Sequence, residues 1–181
     1  MAAKYMKRSF FMRNKNQSKV RSLTLSAVLA AAYVTLAIIC DSVGLLKYAI
    51  QIRIPEALCV LAAFTPAAIP GVTLGCLITN ILLAGAPLDI IFGTVATYIG
   101  VSLGYMICKG RTLTTARMIL ATLPTLISNT LIMPPVIVYS YGTALAMPLV
   151  YVTVFVGELI SACVIGVILG TALKKVKLRF N

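Results

Sequence analysis

The sequence predicts an all-α integral membrane protein, folded as a bundle of six transmembrane helices. Of its 181 residues, 60% are hydrophobic and the mean hydropathy is +1.01. Soluble domains contain only about 45–50% apolar residues. The apolar residues form six runs, and the basic residues cluster between particular runs, which sets the number of helices.

The six apolar runs differ in length and continuity. They cover about residues 22–40, 55–65, 67–84, 88–108, 115–139 and 145–173. The second run is shorter than the roughly 20 residues that a membrane-crossing helix needs. Pro70 and Gly71 interrupt the third run early, and Pro124 and the pair Pro134–Pro135 interrupt the fifth. We expect all six runs to be helices. The sequence does not show whether the second helix crosses the whole membrane.

The basic residues fall into three groups that support six crossings. Fourteen of the sixteen are Lys4, Lys7, Arg8, Arg13, Lys15, Lys19, Arg21, Lys109, Arg111, Arg117, Lys174, Lys175, Lys177 and Arg179. Six helices place all of these on one side, whereas five or seven would divide them. Because cytoplasmic loops are rich in Lys and Arg, both termini are expected in the cytoplasm, and Lys47 and Arg53 on the outer side.

The same pattern predicts three regions of the chain. Residues 1–21 form a basic cytoplasmic segment without the apolar core of a signal peptide. Residues 22–173 form the membrane domain, and residues 174–181 form a basic cytoplasmic tail.

Composition argues against several functions. The chain has no His, and its five Cys residues show no CxxC or metal-ligand spacing. A zinc site is therefore not expected, and a Ser-His-Asp triad is excluded. No P-loop motif occurs, so the chain cannot bind ATP through a P-loop. Without a basic face on a folded surface, nucleic-acid binding is not expected either. We expect no metal, no cofactor and no enzyme activity.

Two charged residues stand at the start of the second run. Pro55 suits the first turn of a helix, which puts Glu56 where the helix dipole favours an anion. Arg53 precedes it in the sequence QIRIPEALCV. The two can form a local ion pair, or one or both can point into an outward-facing pocket.

Four more polar residues lie within or beside apolar runs, where they are expensive unless they meet a partner or a cavity. Glu158 lies well inside the sixth run, and Asn129 follows Pro124 in the fifth. Asn80 lies in the third, and Asp89 opens the fourth. Each can contact a ligand. Alternatively, Glu158 can have a structural partner, Asn80 and Asn129 can bond between helices, and Asp89 can be a plain N-terminal acid.

Small residues recur at four-residue spacing, which lets helices approach closely in lipid. They are Ala27 and Ala31; Gly71, Gly75 and Thr79; Ala96, Gly100 and Gly104; and Ala162, Gly166 and Gly170. Each stripe can pack inside the bundle or dock another membrane protein.

Several motifs together resemble the QueT family, the substrate-binding S-components of energy-coupling factor (ECF) transporters. They are QIRIPEALCVL, FTPAAIPGVTLGCLITNIL, LDIIFGTVATYIG, SNTLIMPPVI and VGELISACVIG, and the similarity runs from about Leu23 to Leu173. The family often has Ser where this chain has Pro55, a change that alters the helix cap but spares the charged residues.

The resemblance implies a six-helix bundle of the S-component type in a bacterial cell membrane. It implies capture of queuine or a related 7-deazaguanine precursor of queuosine from outside. It also implies ATP-driven import, as in ABC transporters, by a transmembrane T-component and two cytoplasmic ATPases. An Ala-x-x-x-Ala stripe on the first helix docks the T-component in S-components, and Ala27 and Ala31 match it, with Ser26 and Ala30 as the adjacent choice.

The chemistry of such a base fits the polar residues. A carboxylate accepts the adjacent ring N–H and amine of a deazaguanine, and an Asn serves the carbonyl. Arg53 can hold a neighbouring carboxylate or the base carbonyl. Aromatic rings can cover the ring face, the candidates being Tyr98, Tyr139, Tyr141 and Phe92. The predicted substrate site comprises Arg53, Glu56, Asn80, Asp89, Tyr98, Asn129, Tyr139 and Glu158.

Three other functions stay open at the level of the sequence. The chain can be a stand-alone, ion-driven transporter of a nucleobase-like or vitamin-like molecule, which co-purification of partners would distinguish. A thiol oxidoreductase is disfavoured by the cysteine spacing. A purely structural subunit leaves the embedded Glu158 unexplained.

Overall fold

The computed structural model describes the backbone of residues 2–44, 52–84, 86–142 and 145–175, and side chains within these ranges from residue 17 onward, except that of residue 84. Three residues used in the topology argument lie outside the described residues: Lys47, Lys177 and Arg179. The same holds for the side chains of the basic residues before position 17.

All regular secondary structure in the described chain is helical, and these residues contain no strand. Its helices are α1 (Ala2–Ser42), α2 (Ile54–Ala63), α3 (Ala68–Thr79, continuing as a π-helical turn over Asn80–Ala84), α4 (Pro87–Cys108), α5 (Thr115–Tyr141) and α6 (Met147–Glu158, then π-helical over Leu159–Ile165, then Gly166–Lys175). These six helices coincide closely with the six apolar runs. The basic N-terminal segment is helical from Ala2, so it continues directly into the first apolar run.

Four of the described helices are long and apolar enough to cross a membrane. They are α4, α5, α6 and the part of α1 from residue 17 to residue 42. Helices α2 and α3 are apolar but shorter. Because α2 is a ten-residue 3₁₀ helix, it is only about 20 Å long, against roughly 30 Å of hydrocarbon in a bilayer.

Helix α2 is the central element of the bundle. Every residue from Pro55 to Ala62 is buried, and the helix contacts all five other helices. Pro55 occupies the first turn, and the Glu56 N–H closes that turn by donating to the Arg53 carbonyl at 2.9 Å. A 3₁₀ helix of this length is uncommon on propensity alone, so the surrounding helices hold it in place.

Contacts between helices show that successive helices run in opposite directions. Ser26 of α1 donates to the Ala67 carbonyl at the start of α3 at 2.9 Å, while Tyr33, farther along α1, lies against Gly75 of α3. Helices α1 and α3 are therefore parallel, with α2 returning between them. In contrast, Asn80 near the end of α3 contacts the carbonyl of Asp89 at the start of α4, so these two helices are antiparallel.

The second half of the bundle follows the same rule. Ser128 of α5 donates to the Ala96 carbonyl of α4 at 2.8 Å, and Gly104 of α4 lies against Ala121. Later positions on α4 thus meet earlier ones on α5, and the pair is antiparallel. Thr122 of α5 in turn contacts Cys163 of α6 at 3.4 Å.

The glycine stripes of α3, α4 and α6 pack inside the bundle. A Cβ on Gly75 would lie 2.6 Å from the Tyr33 Cβ, and one on Gly100 would lie 2.5 Å from the Thr125 Cα. Such distances leave no room for any side chain, so the packing alternative is confirmed for these stripes. On α1 the two registers differ: Ser26 and Ala30 are buried, whereas Ala27 and Ala31 are exposed.

Candidate functional site

A narrow cleft opens between the start of α2 and the facing sides of α5 and α6. Its walls are Arg53, Met133, Ile137, Val154 and Glu158, a set called the cleft below. Three of these side chains are apolar and two are charged. The cleft has a free volume of about 10 Å³, which is enough for about one water molecule.

Glu158 supplies the carboxylate of the cleft. Its side chain is buried, at 5% exposure, and its Oε2 atom has no hydrogen-bond partner within the described part of the chain. The carboxylate interacts electrostatically with Arg53 across the cleft. Glu158 lies four residues after Val154 on the same face of α6, and the helix changes to π geometry immediately after it. π-Turns often mark functional positions.

Arg53 is tied to Asp89 at the rim of the cleft. Its guanidinium lies 4.0 Å from Asp89 Oδ1, with 21% of the arginine side chain and 4% of the aspartate side chain exposed. Burial by itself disfavours the charged guanidinium, but the Asp89 carboxylate outweighs this effect and raises the pKa of Arg53. Tyr141 donates a hydrogen bond to Asp89 Oδ2 at 2.9 Å. Among the described residues, the ion pair of Arg53 is with Asp89 and not with Glu56.

Asn80, near the end of α3, contacts the start of α4. Its amide lies 3.4 Å from the Asp89 carbonyl and 3.5 Å from the Cys76 sulfur. Gly93 makes this possible, because a Cβ there would come within 2.8 Å of the Asn80 amide nitrogen. The predicted site residues Asn80, Asp89 and Arg53 are thus brought together.

Glu56 is not one of the cleft walls, and it lies in a satisfied hydrogen-bond network. Its Oε1 accepts from Tyr33 at 2.6 Å and from Thr97 at 3.3 Å, and its Oε2 accepts from Cys59 at 3.1 Å. The side chain is almost fully buried, at 1% exposure. We call Glu56, Tyr33, Cys59 and Thr97 the Glu56 network, and it joins α1, α2 and α4.

The other predicted site residues occupy different surroundings. Asn129 is buried, its amide nitrogen has no partner among the described residues, and it precedes Met133 by one turn on the same face of α5. Tyr98 and Tyr139 are exposed, at 52% and 81%, and Phe92 is also exposed. These three rings are not part of the cleft wall.

The chain matches the family model described as QueT transporter over residues 23–175, which is most of its length. The chain belongs to the QueT transporter family. The resemblance read from the sequence motifs is thereby confirmed. No curated protein and no solved structure matched the chain.

Membership of the QueT family makes the chain a membrane transporter protein, and its apolar helices make it multi-pass. In this QueT protein the matched region contains every wall of the cleft and the whole Glu56 network.

Several residues of the cleft and of the Glu56 network in this QueT protein were not predicted from the sequence. Tyr33 carried a usable signal, because a phenol hydroxyl in the middle of an apolar helix needs a partner. Met133, Ile137 and Val154 carried none, since apolar side chains are expected throughout such helices. Tyr141 was a candidate ring contact, and in the structure it bonds to Asp89.

Proposed function

We propose that this protein is the S-component of an ECF-type ABC transporter, and that it captures queuine or a related 7-deazaguanine base for ATP-driven import. The unpartnered carboxylate oxygen of Glu158, buried in a cleft with apolar walls, is the observation that carries the proposal. A buried carboxylate oxygen without a hydrogen-bond partner is costly in a membrane protein, and a bound molecule with adjacent N–H donors removes that cost.

The cleft has the chemistry that a flat, polar heterocycle requires. Glu158 can accept the ring N–H and the exocyclic amine of a deazaguanine together. Asn129, one turn before the cleft wall Met133, offers an unpartnered amide nitrogen as a donor for the base carbonyl. Met133, Ile137 and Val154 provide apolar surface for the two ring faces. Because the cleft has room for only about one water molecule, α5 and α6 must separate before a base can bind.

Partner docking is proposed for the exposed stripe of α1. Ala27 and Ala31 are exposed, while Ser26 and Ala30 on the adjacent register pack against the rest of the bundle. A T-component can therefore approach α1 closely at Ala27 and Ala31 without disturbing the bundle. Two cytoplasmic ATPases would complete the assembly and supply energy.

The proposed topology has six helices that alternate in direction in a bacterial cell membrane, with α2 shorter than the hydrocarbon layer. The alternation of helix direction supports it, and so does the position of the 109–117 loop at the same end as the start of α1. The basic segment 1–21 and the basic tail 174–181 then both lie in the cytoplasm with that loop.

Mass spectrometry of the purified protein tests the substrate. We expect a co-purified 7-deazaguanine base, and saturable binding of added queuine by isothermal titration calorimetry. Guanine, which differs from the 7-deazaguanines in the five-membered ring, is the control ligand. Absence of saturable binding by queuine and its 7-aminomethyl precursor would contradict the proposed substrate.

Affinity purification from membranes tests the partners. A T-component and two ATPases should co-purify with the chain, and uptake in vesicles should stop when ATP is withheld. Full uptake by the chain alone, driven by an ion gradient, would instead support a stand-alone transporter.

A further inference from the structure

Three helices meet at the Arg53 end of the cleft, and one carboxylate joins them. Arg53 precedes α2, Asp89 lies in the first turn of α4, and Tyr141 is the last residue of α5. The Arg53 guanidinium lies 4.0 Å from Asp89 Oδ1, and the Tyr141 hydroxyl donates to Asp89 Oδ2 at 2.9 Å. We call these three residues the latch.

The latch adjoins the cleft through Arg53. Arg53 is itself one wall of the cleft. Tyr141 follows Ile137 by four residues, so it lies one turn farther along the same face of α5. Its hydroxyl is directed toward Asp89 on α4, which places that bond beside the Arg53 wall.

The latch also has the properties of a contact that can open. All three residues are at helix ends, where hinge motions are usually absorbed. The Arg53–Asp89 separation of 4.0 Å is long for an ion pair, and 21% of the Arg53 side chain is exposed. Tyr141 is followed by Gly142 in the left-handed conformation (φ 57°), which ends α5.

We propose that Asp89 and Tyr141 are positioning residues that hold Arg53 over this end of the cleft, and that this latch opens whenever a molecule larger than water enters. The proposal rests on the cleft being the binding site of the proposed function. The opening itself, however, is measurable without any cargo. With the latch closed, the cleft volume of about 10 Å³ excludes a ring-sized molecule.

Cysteine labelling tests the latch in the full-length protein purified in detergent. Ile137 in the cleft wall is replaced by cysteine, and the rate of its reaction with N-ethylmaleimide is followed by peptide mass spectrometry. This reagent is neutral, so charge changes in the variants do not alter its approach, and Tyr141→Phe, which changes no formal charge, separates opening from a change in thiol reactivity. The labelling rate of the Ile137→Cys protein is then compared with that of the same protein carrying Tyr141→Phe or Asp89→Asn as a second substitution. Tyr151→Phe on α6 is the matched control.

We expect labelling of the new cysteine to be slow in the otherwise unchanged protein and about tenfold faster or more with either latch substitution. This follows because a hydrogen bond to a charged group contributes at least about a factor of ten. Tyr151→Phe should leave the rate unchanged, and Asp89→Glu should restore slow labelling. Equal rates with and without the latch substitutions would overturn the proposal.

The five native cysteines serve as the internal control for folding. All five are buried, so a variant that unfolds labels all of them together, and the other, folded variant then decides the outcome. If queuine fails to bind while the labelling rates change as expected, the proposed substrate is wrong and the latch stands.

Discussion

Two buried glutamates of this protein, Glu56 and Glu158, have opposite surroundings. Glu56 is at 1% exposure and accepts hydrogen bonds from three side chains on three helices. Glu158 is at 5% exposure, yet its Oε2 has no partner within the described residues and it forms one wall of the cleft. The sequence alone presented both as carboxylates embedded in apolar runs.

The difference separates a carboxylate whose hydrogen bonds join three helices from one that the proposed function assigns to cargo. A buried polar group with all its partners rigidifies the structure around it, whereas one without partners costs free energy. The Glu56 network joins α1, α2 and α4. We infer that Glu56 contributes mainly to stability, and Glu158 mainly to binding.

Replacing Glu56 with alanine should have the largest effect on stability. Glu56→Ala leaves the hydroxyls of Tyr33 and Thr97 without their acceptor, and unpaired buried groups cost about 1–3 kcal/mol each. We expect a loss of about 3 kcal/mol, measured as a lower Tm in detergent. Glu56→Gln keeps one acceptor oxygen and should lose less. An unchanged Tm in Glu56→Ala would remove the distinction between the two glutamates.

Leucine at both Ala27 and Ala31 should stop uptake and leave binding intact. The two positions are exposed on α1, so added bulk blocks close helix approach without disturbing the bundle. Uptake of labelled queuine in cells should fall about tenfold or more, with unchanged affinity in the purified protein.

Ala30→Leu is the matched control for the docking stripe. Ala30 is buried against the bundle, at 8% exposure, and overpacking usually costs about 1–3 kcal/mol. This variant should lower Tm. Loss of affinity in the Ala27 and Ala31 variant would mean that the exposed stripe also shapes the binding site.

Tyr33→Phe should have the smallest effect of the three. It removes one hydrogen bond of 2.6 Å to Glu56, and we expect a loss of about 1 kcal/mol with unchanged queuine affinity. Tyr98→Phe, at an exposed ring, is the stability control. A larger effect on affinity than on Tm would place Tyr33 in the binding site.

Most of the fold could be predicted from the sequence because the backbone of an apolar run must satisfy its hydrogen bonds within a helix when it lies in lipid. Each apolar run became a helix, and the Pro residues near helix starts, such as Pro55 and Pro87, lie in first turns. The 3₁₀ geometry of α2 and the π-turns after Thr79 and Glu158 could not be predicted. They depend on how neighbouring helices pack against those segments, and the helix propensity of single residues does not predict that packing.

The candidate site was only partly predictable, for a related reason. Polar residues in apolar runs signal that a partner exists, and Arg53, Asp89 and Glu158 do lie close together. The sequence cannot say whether the partner is protein or cargo. Asp89 bonds to Tyr141, 52 positions away, and Glu56 bonds to Tyr33 on another helix.

Queuine binding to Glu158→Gln, compared with Glu56→Gln, tests the central claim most directly. An amide at position 158 loses the charge and one acceptor, so we expect affinity measured by calorimetry to fall about 100-fold while Tm stays unchanged. Glu56→Gln should keep affinity within about threefold and lower Tm. Wild-type affinity in Glu158→Gln, or loss of binding confined to a stable Glu56→Gln, would contradict the account.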